Sequence, residues 1–166
     1  MTPQKAFEQF HRAVYSFSYR LTRREDLAED ITQECFLILV RDPHRFDEAK
    51  GTVKTYLFSI ARNLALKQYR DHRAEEPLDD PETVDTIDPR GSLEVSSSVA
   101  TAVAGLPLLQ QEALILFEYE GATLEEIALI VGADVGTVKS RLHRARERLR
   151  RVLAPHRKVE NTHGTV

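Results

Sequence analysis

Phe7, Phe10, Val14, Phe17 and Leu21 step along the chain by three and four residues, the spacing that gathers side chains on one stripe of an α-helix. The pattern predicts a first helix ending near Thr22 with this aromatic-rich stripe in a core. Leu27, Ile31, Cys35, Ile38 and Leu39 repeat the pattern from about Glu25 to Arg41, and Pro43 stops the helix soon after. Its other face presents Glu29, Asp30, Gln33 and Glu34. A third helix, from about Val53 to His72, turns Val53, Leu57, Ile60, Ala61 and Leu64 inward and leaves Lys54, Arg62, Asn63, Lys67, Arg70 and Arg73 to solvent. The loop before it holds Gly51, which permits a sharp turn.

A second helical pattern occupies 123–153. Thr123 and Glu126 stand in capping-box register, so the hydroxyl satisfies a first-turn amide while the carboxylate reaches back. Ile127, Ala128 and Val131 supply an apolar face, and Gly132 ends the helix in a left-handed turn. The next helix starts near Val135 to Thr137, and its apolar positions Val138, Leu142, Ala145, Leu149 and Val152 keep three-to-four spacing. Lys139, Arg141, Arg144, Arg146, Arg148, Arg150 and Arg151 take the remaining surface against the single acid Glu147. A face kept only for solubility intersperses its signs. Two helices joined by a tight turn, the second strongly basic, form the pattern of a helix-turn-helix that reads duplex DNA.

Between these patterns, residues 74–98 contain Pro77, Pro81, Pro89, Gly91 and a run of acids without a sustained apolar period, a composition that cannot order itself alone. The expected architecture is all-α: two small helical domains at 3–73 and 99–153, a flexible acidic linker at 74–98 and a tail at 154–166. Formal charge follows the same division. Residues 1–73 carry 13 Lys/Arg and 10 Asp/Glu, 74–134 carry 1 and 14, and 135–166 carry 9 and 2. An acidic connector between more basic ends fits two nucleic-acid-facing modules. In the free chain its acids from Glu75 to Asp88 are expected to compete with phosphates for the reader helix. The lone Cys35 excludes an internal disulfide and reads as a small buried hydrophobe. Without an apolar run of membrane-spanning length or a signal-peptide core, the expected location is the cytoplasm.

The runs from Ala28 to Arg73 (AEDITQECFLILVRDPHRFDEAKGTVKTYLFSIARNLALKQYRDHR) and from Leu124 to Arg150 (LEEIALIVGADVGTVKSRLHRARERLR) resemble conserved regions two and four of the bacterial sigma factors. Having these regions alone, the chain resembles the compact extracytoplasmic-function group of the sigma-70 family. The resemblance implies that the protein joins core RNA polymerase, directs it to promoters and promotes strand opening, with no covalent chemistry, cofactor, metal or small-molecule substrate. Asp30, Gln33 and Glu34 match the edge that docks on the beta-prime clamp helices. Phe46, Lys50, Lys54, Tyr56, Arg62 and Asn63 match the surface that opens the minus-ten element and captures an unstacked base, work suited to aromatic and cationic side chains. Lys139, Ser140, Arg141, His143 and Arg144 match the helix that enters the major groove at the minus-thirty-five element. Further implied partners are the polymerase beta flap and an anti-sigma factor. The chain departs from the family pattern at Gln111, where many relatives carry an arginine near the DNA backbone, at Tyr56 and Val40, where tryptophan is frequent, and at Lys67, where an acid is common.

Other classes fit less well. A two-component regulator also ends in a basic helical reader, but its front half would carry strands, and this one is helical throughout. Glu8 with His11 and Glu160 with His163 have the spacing of a di-iron site, yet the second pair sits in a polar tail and no inward carboxylates accompany either. An inactive homologue that binds polymerase without initiating would share every one of these features.

Overall fold

The computed structural model describes residues 1–73 and 98–162, with the side chains of 1–71 and 98–154. Helix α1, Pro3–Thr22, begins where Thr2 accepts the Lys5 N–H and Pro3 occupies the first turn, a place where its missing N–H costs nothing. It ends at Arg23, which takes a left-handed conformation at φ 58° and donates its N–H to Tyr19 O. Thr22 Oγ1 braces that corner by accepting the Arg24 N–H. Helix α2, Glu25–Arg41, opens on Glu25 and Asp26, acids that suit the positive end of a helix dipole, and stops before a short 3-10 turn at Pro43–Arg45. Helix α3, Val53–Arg73, completes the first domain. Phe17 meets Phe58 edge-on with ring centroids 5.1 Å apart, and Leu57, Ala61 and Cys35 close the space around them. Burial pushes the Cys35 thiol up to about 12, as an inert core residue requires.

The second domain comprises α4 (Ser98–Ala104), α5 (Leu108–Leu114), a π-helical turn (Ile115–Tyr119), α6 (Leu124–Val131) and α7 (Val135–Thr162). Thr123 and Glu126 form the full capping box, and Gly132 closes α6 at φ 67°. The Oδ1 of Asp134 accepts the Thr137 N–H at 2.7 Å and caps α7. Val138, Leu142 and Ala145 are buried against α5 and α6. Among the described residues no strand occurs, and no helix is long and apolar enough to cross a membrane.

Three expectations change. Phe7 heads the core stripe in sequence but is 46% exposed, stacking on His11 and touching Phe36 edge-on near the open end of α1. Helix α7 runs to Thr162 where a tail was expected from 154, because a proline within a helix removes one amide donor without obliging the chain to stop. Arg62, assigned to solvent, is covered by the second domain. Helix α6 packs on α3, the π-turn lies against α1, and the buried apolar residues of the two halves form one continuous cluster. Residues 74–97, which hold nearly all of the expected linker and its masking acids, lie outside the described residues, as do Glu160 and His163 at the side-chain level.

Two stability tests follow from the caps. Thr123→Ala should lower the unfolding free energy by about 1 kcal/mol in urea titrations, the cost of losing an N-cap. The Thr137 N–H holds the Asp134 carboxyl below its usual range, so its contribution is present above about pH 4 and lost as pH falls through the depressed native value. Asp134→Asn should keep the cap at neutral pH while flattening that acid limb, and an identical limb in the variant would place the titration elsewhere.

Candidate nucleic-acid interface

The reader surface is built by one helix whose inward positions are fixed by packing. With Val138, Leu142 and Ala145 buried, the helical period turns Lys139, Ser140, His143 and Arg144 outward, and all four are exposed. Arg141 is only half-exposed, and its Nη1 is buried without a hydrogen-bond partner. Arg146 lies over the Phe117 ring at 5.2 Å and pairs with Glu118 at 3.4 Å, and Arg150 pairs with Glu147 at 3.7 Å. Several cations of the basic helix therefore serve their own domain, whereas Lys139 and Arg144 project beside the two polar side chains that could meet base edges.

A second surface lies on the first domain around the loop before α3. Asp47 Oδ1 accepts the Ala49 N–H, and Thr52 caps α3 through the Thr55 N–H. These bonds hold open a cleft of about 300 Å³ lined by Phe46, Lys50, Thr55, Tyr56 and Ser59, with Leu129 of α6 as one wall. The Phe46 and Tyr56 rings stand 5.4 Å apart at an interplanar angle of 47°. Such a pair offers an unstacked base an aromatic face, with Lys50 exposed nearby for phosphate. Lys54 Nζ sits 5.6 Å from the Phe58 ring. Asn63 is exposed further along α3.

Arg62 belongs to the same surface by sequence but faces the other domain. Its Nε and Nη2 donate to Glu112 Oε2 and Oε1 at 2.9 and 3.0 Å, a bidentate pair in which the side chains are 15% and 0% exposed. Burial pushes the Glu112 carboxyl up, and Arg62 followed by Arg141 opposes that shift. Close by, Arg20 pairs with Glu120 at 3.3 Å and lies 4.4 Å over the Tyr119 ring. Gln111, the residue read as a missing phosphate contact, is buried and donates across the domains to Arg20 O at 3.5 Å. Sequence reasoning missed Arg20, Glu112 and Glu120 altogether. The one available signal was Glu112 as the sole charged residue of α5.

The third surface is the outer edge of α2. Asp30 and Gln33 are exposed, and Glu34 is half-buried beside Arg41 at 3.8 Å. Leu37 and Val40 continue that edge with 43% and 58% exposure. Their failure to fit the inward period of α2 was the sign that they serve a surface. At the opposite end of the domain, His11 Nδ1 lies 2.6 Å from Phe7 O, a local contact within α1.

Residues 6–75 match the family model for Sigma-70 region 2, and residues 96–149 match that for Sigma-70 region 4. The chain is 34% identical over 151 residues to the ECF RNA polymerase sigma factor SigE of Mycolicibacterium smegmatis, covering 86% of this chain and 58% of that protein. It is 34% identical to EcfG of Rhodopseudomonas palustris, covering 85% and 79%, and 29% identical to SigM of Bacillus subtilis, covering 90% and 94%. Among solved structures, the sigma factor RpoE of Bartonella quintana, crystallised with the anti-sigma factor NepR, superposes with a TM-score of 0.72 at 28% identity over 91% of this chain and 96% of that one. CnrH, solved with the cytosolic domain of CnrY, shares the fold at a TM-score of 0.71 and 22% identity over 92% and 88%. With both regions present in order on two helical domains, the chain belongs to the ECF group of RNA polymerase sigma factors, regulatory proteins that direct polymerase to promoters for the initiation of transcription.

Proposed function

We propose that the two domains divide promoter recognition between them. Residues 3–73 bind core polymerase through Asp30, Gln33 and Glu34 on the beta-prime clamp helices, and hold the minus-ten strand through Phe46, Lys50, Lys54, Tyr56, Arg62 and Asn63. Residues 99–153 place Lys139, Ser140, His143 and Arg144 in the major groove at minus thirty-five and meet the beta flap, with Arg141 bracing the helix as much as reading. Residues 74–98 connect the domains, and 154–162 extend the reader helix. The protein performs no covalent chemistry and works in the cytoplasm. RpoE of Bartonella quintana was crystallised in complex with the anti-sigma factor NepR, and an anti-sigma factor is the further partner of this chain.

The observation that carries this reading is the reader face itself, where one capped helix presents Lys139, Ser140, His143 and Arg144 together while its apolar side is locked into the domain. Bidentate arginine contacts to guanine and polar contacts to neighbouring bases are available to such a face. Leu37 and Val40 add to the α2 edge the exposed apolar area that protein interfaces use at their centres.

Run-off transcription with purified core polymerase on a genomic fragment library should give discrete, promoter-dependent products, and failure to produce any would overturn the assignment. Arg144→Ala should cost about 1–3 kcal/mol in promoter binding by the polymerase complex at matched salt. Wild-type affinity in that variant would remove Arg144 from the reader. Gln33→Ala combined with Glu34→Lys should reduce co-purification with core enzyme while leaving the thermal midpoint of the free chain in place, since neither side chain belongs to the core.

A further inference from the structure

The cleft beside α3 carries more polar detail than stacking needs. Its volume of about 300 Å³ is at the small end of ligand clefts and suits one base. Its aromatic wall is Phe46 with Tyr56, and every base has a face that such a wall can stack on. Stacking therefore does not choose between bases. Choice comes from the polar atoms that meet the edge of the extruded base.

Three hydroxyls of the loop and α3 have their protons already engaged. Ser59 donates to Thr55 O at 2.9 Å, and Thr55 donates to Thr52 O at 2.9 Å. Thr52 Oγ1 accepts the Thr55 N–H at 3.2 Å and lies 3.3 Å from Thr55 Oγ1, which can take its proton because Thr55 has committed its own. A hydroxyl that donates backward along its helix keeps only acceptor lone pairs for a ligand. Thr55 is buried, and a Cβ built on Gly51 would come within 2.8 Å of its Oγ1. That close approach needs glycine, covers Thr55, and sets Asp47 opposite the half-buried Ser59 in one cleft. Asp47 accepts the Ala49 N–H with Oδ1 at 3.0 Å, which leaves Oδ2 as a further acceptor, and an ionised carboxylate donates nothing. The Tyr56 hydroxyl can donate or accept and adds no preference. Arg45 and Lys50, the cations of the lining, are exposed, where they suit phosphate. Ser59 and Asp47 are thus acceptors for whatever edge the base presents.

We propose that this cleft selects the captured base by its exocyclic amino group: adenine, cytosine and guanine are admitted, thymine is rejected, and Ser59 and Asp47 make the choice. Thymine alone lacks an amino group and presents carbonyl oxygens in its place. Its entry strips water from polar atoms on both sides without giving them partners. Selection of this kind rests on the assignment of Phe46 and Tyr56 to single-stranded DNA, and adds to it the class of base taken.

The test uses the full chain bound to core polymerase, with core alone as the baseline. Fluorescence anisotropy reads binding of a thymidine strand of about 12 nucleotides whose central position is thymine, cytosine, adenine, a purine lacking the amino group, or abasic. The cytosine and adenine strands should bind about three- to tenfold more tightly than the thymine and amino-free purine strands, near the lower end of discrimination for a base contact. Ser59→Ala should bring that ratio below about twofold. Asp47→Asn, which turns one acceptor into an amide donor, should raise the thymine strand toward the cytosine one. The double variant Phe46→Ala/Tyr56→Ala should bring every strand to the level of the abasic one. Circular dichroism checks the fold, and if Ser59→Ala loses helix, Asp47→Asn decides. A thymine strand bound as well as the cytosine and adenine strands, or a ratio unchanged in both single variants, overturns the selection and leaves base capture standing where loss of the two rings still weakens binding. Strands that all bind like the abasic one, with and without the rings, overturn the base-capture assignment itself.

Discussion

A carboxylate with no exposure to water has to be held against a cation, and Glu112 meets that requirement by drawing Arg62 across from a helix 50 residues earlier in the chain. Removing two charges from water costs several kcal/mol per ion, and only bidentate geometry with further hydrogen bonds recovers it. The pair therefore adds little net stability. What it does is penalise every arrangement in which one partner is buried without the other, which fixes how α5 sits on α3 and so where α6 and the π-turn fall. The cleft wall at Leu129 and the contact of Arg20 with Glu120 and Tyr119 are consequences of that placement.

Size explains why the domains lean on each other. Domains of this length bury only a modest share of their unfolded surface, and the apolar cluster here runs without a break from Phe17 and Phe58 in the first domain to Leu116, Ile127 and Leu142 in the second. The contact is not wholly apolar: Arg62–Glu112 and Arg20–Glu120 cross it beside the shared cluster, and polar groups of this kind are stable at a boundary only when paired or hydrated.

Much of this was legible before any coordinates. The three- and four-residue spacing placed α1, α2 and α3 nearly to the residue, and the Thr123/Glu126 box with Gly132 marked both ends of α6. Periodicity sorts residues by helix face, however, and is silent on what covers a face. Arg62 reads as solvated on that logic, and Phe36 and Phe58, outside the stripes as drawn, are in fact core. Phe7 errs in the opposite direction, an apolar residue in register but close to a helix start where little remains to pack on it. The same limit applies to the reader helix, where composition counts Arg146 as a DNA-facing cation although its partners Glu118 and Phe117 lie within the domain, and Arg141 although its Nη1 is buried. Folding, in each case, assigned the side chain to a neighbour that local sequence does not name.

Glu112 also ties the seam to the reader helix. Its carboxylate feels Arg141 of the reader helix as well as Arg62, and the Nη1 of Arg141 is buried with no hydrogen-bond partner. Glu112 thus stands between a cation of each domain, bonded to Arg62 and within the field of Arg141. Removing Arg62 would take away both of its bidentate donors, and breaking a buried pair by deleting one partner costs about 3–5 kcal/mol. The position of a single glutamate on α5 thus joins the packing of the second domain to an arginine of α3.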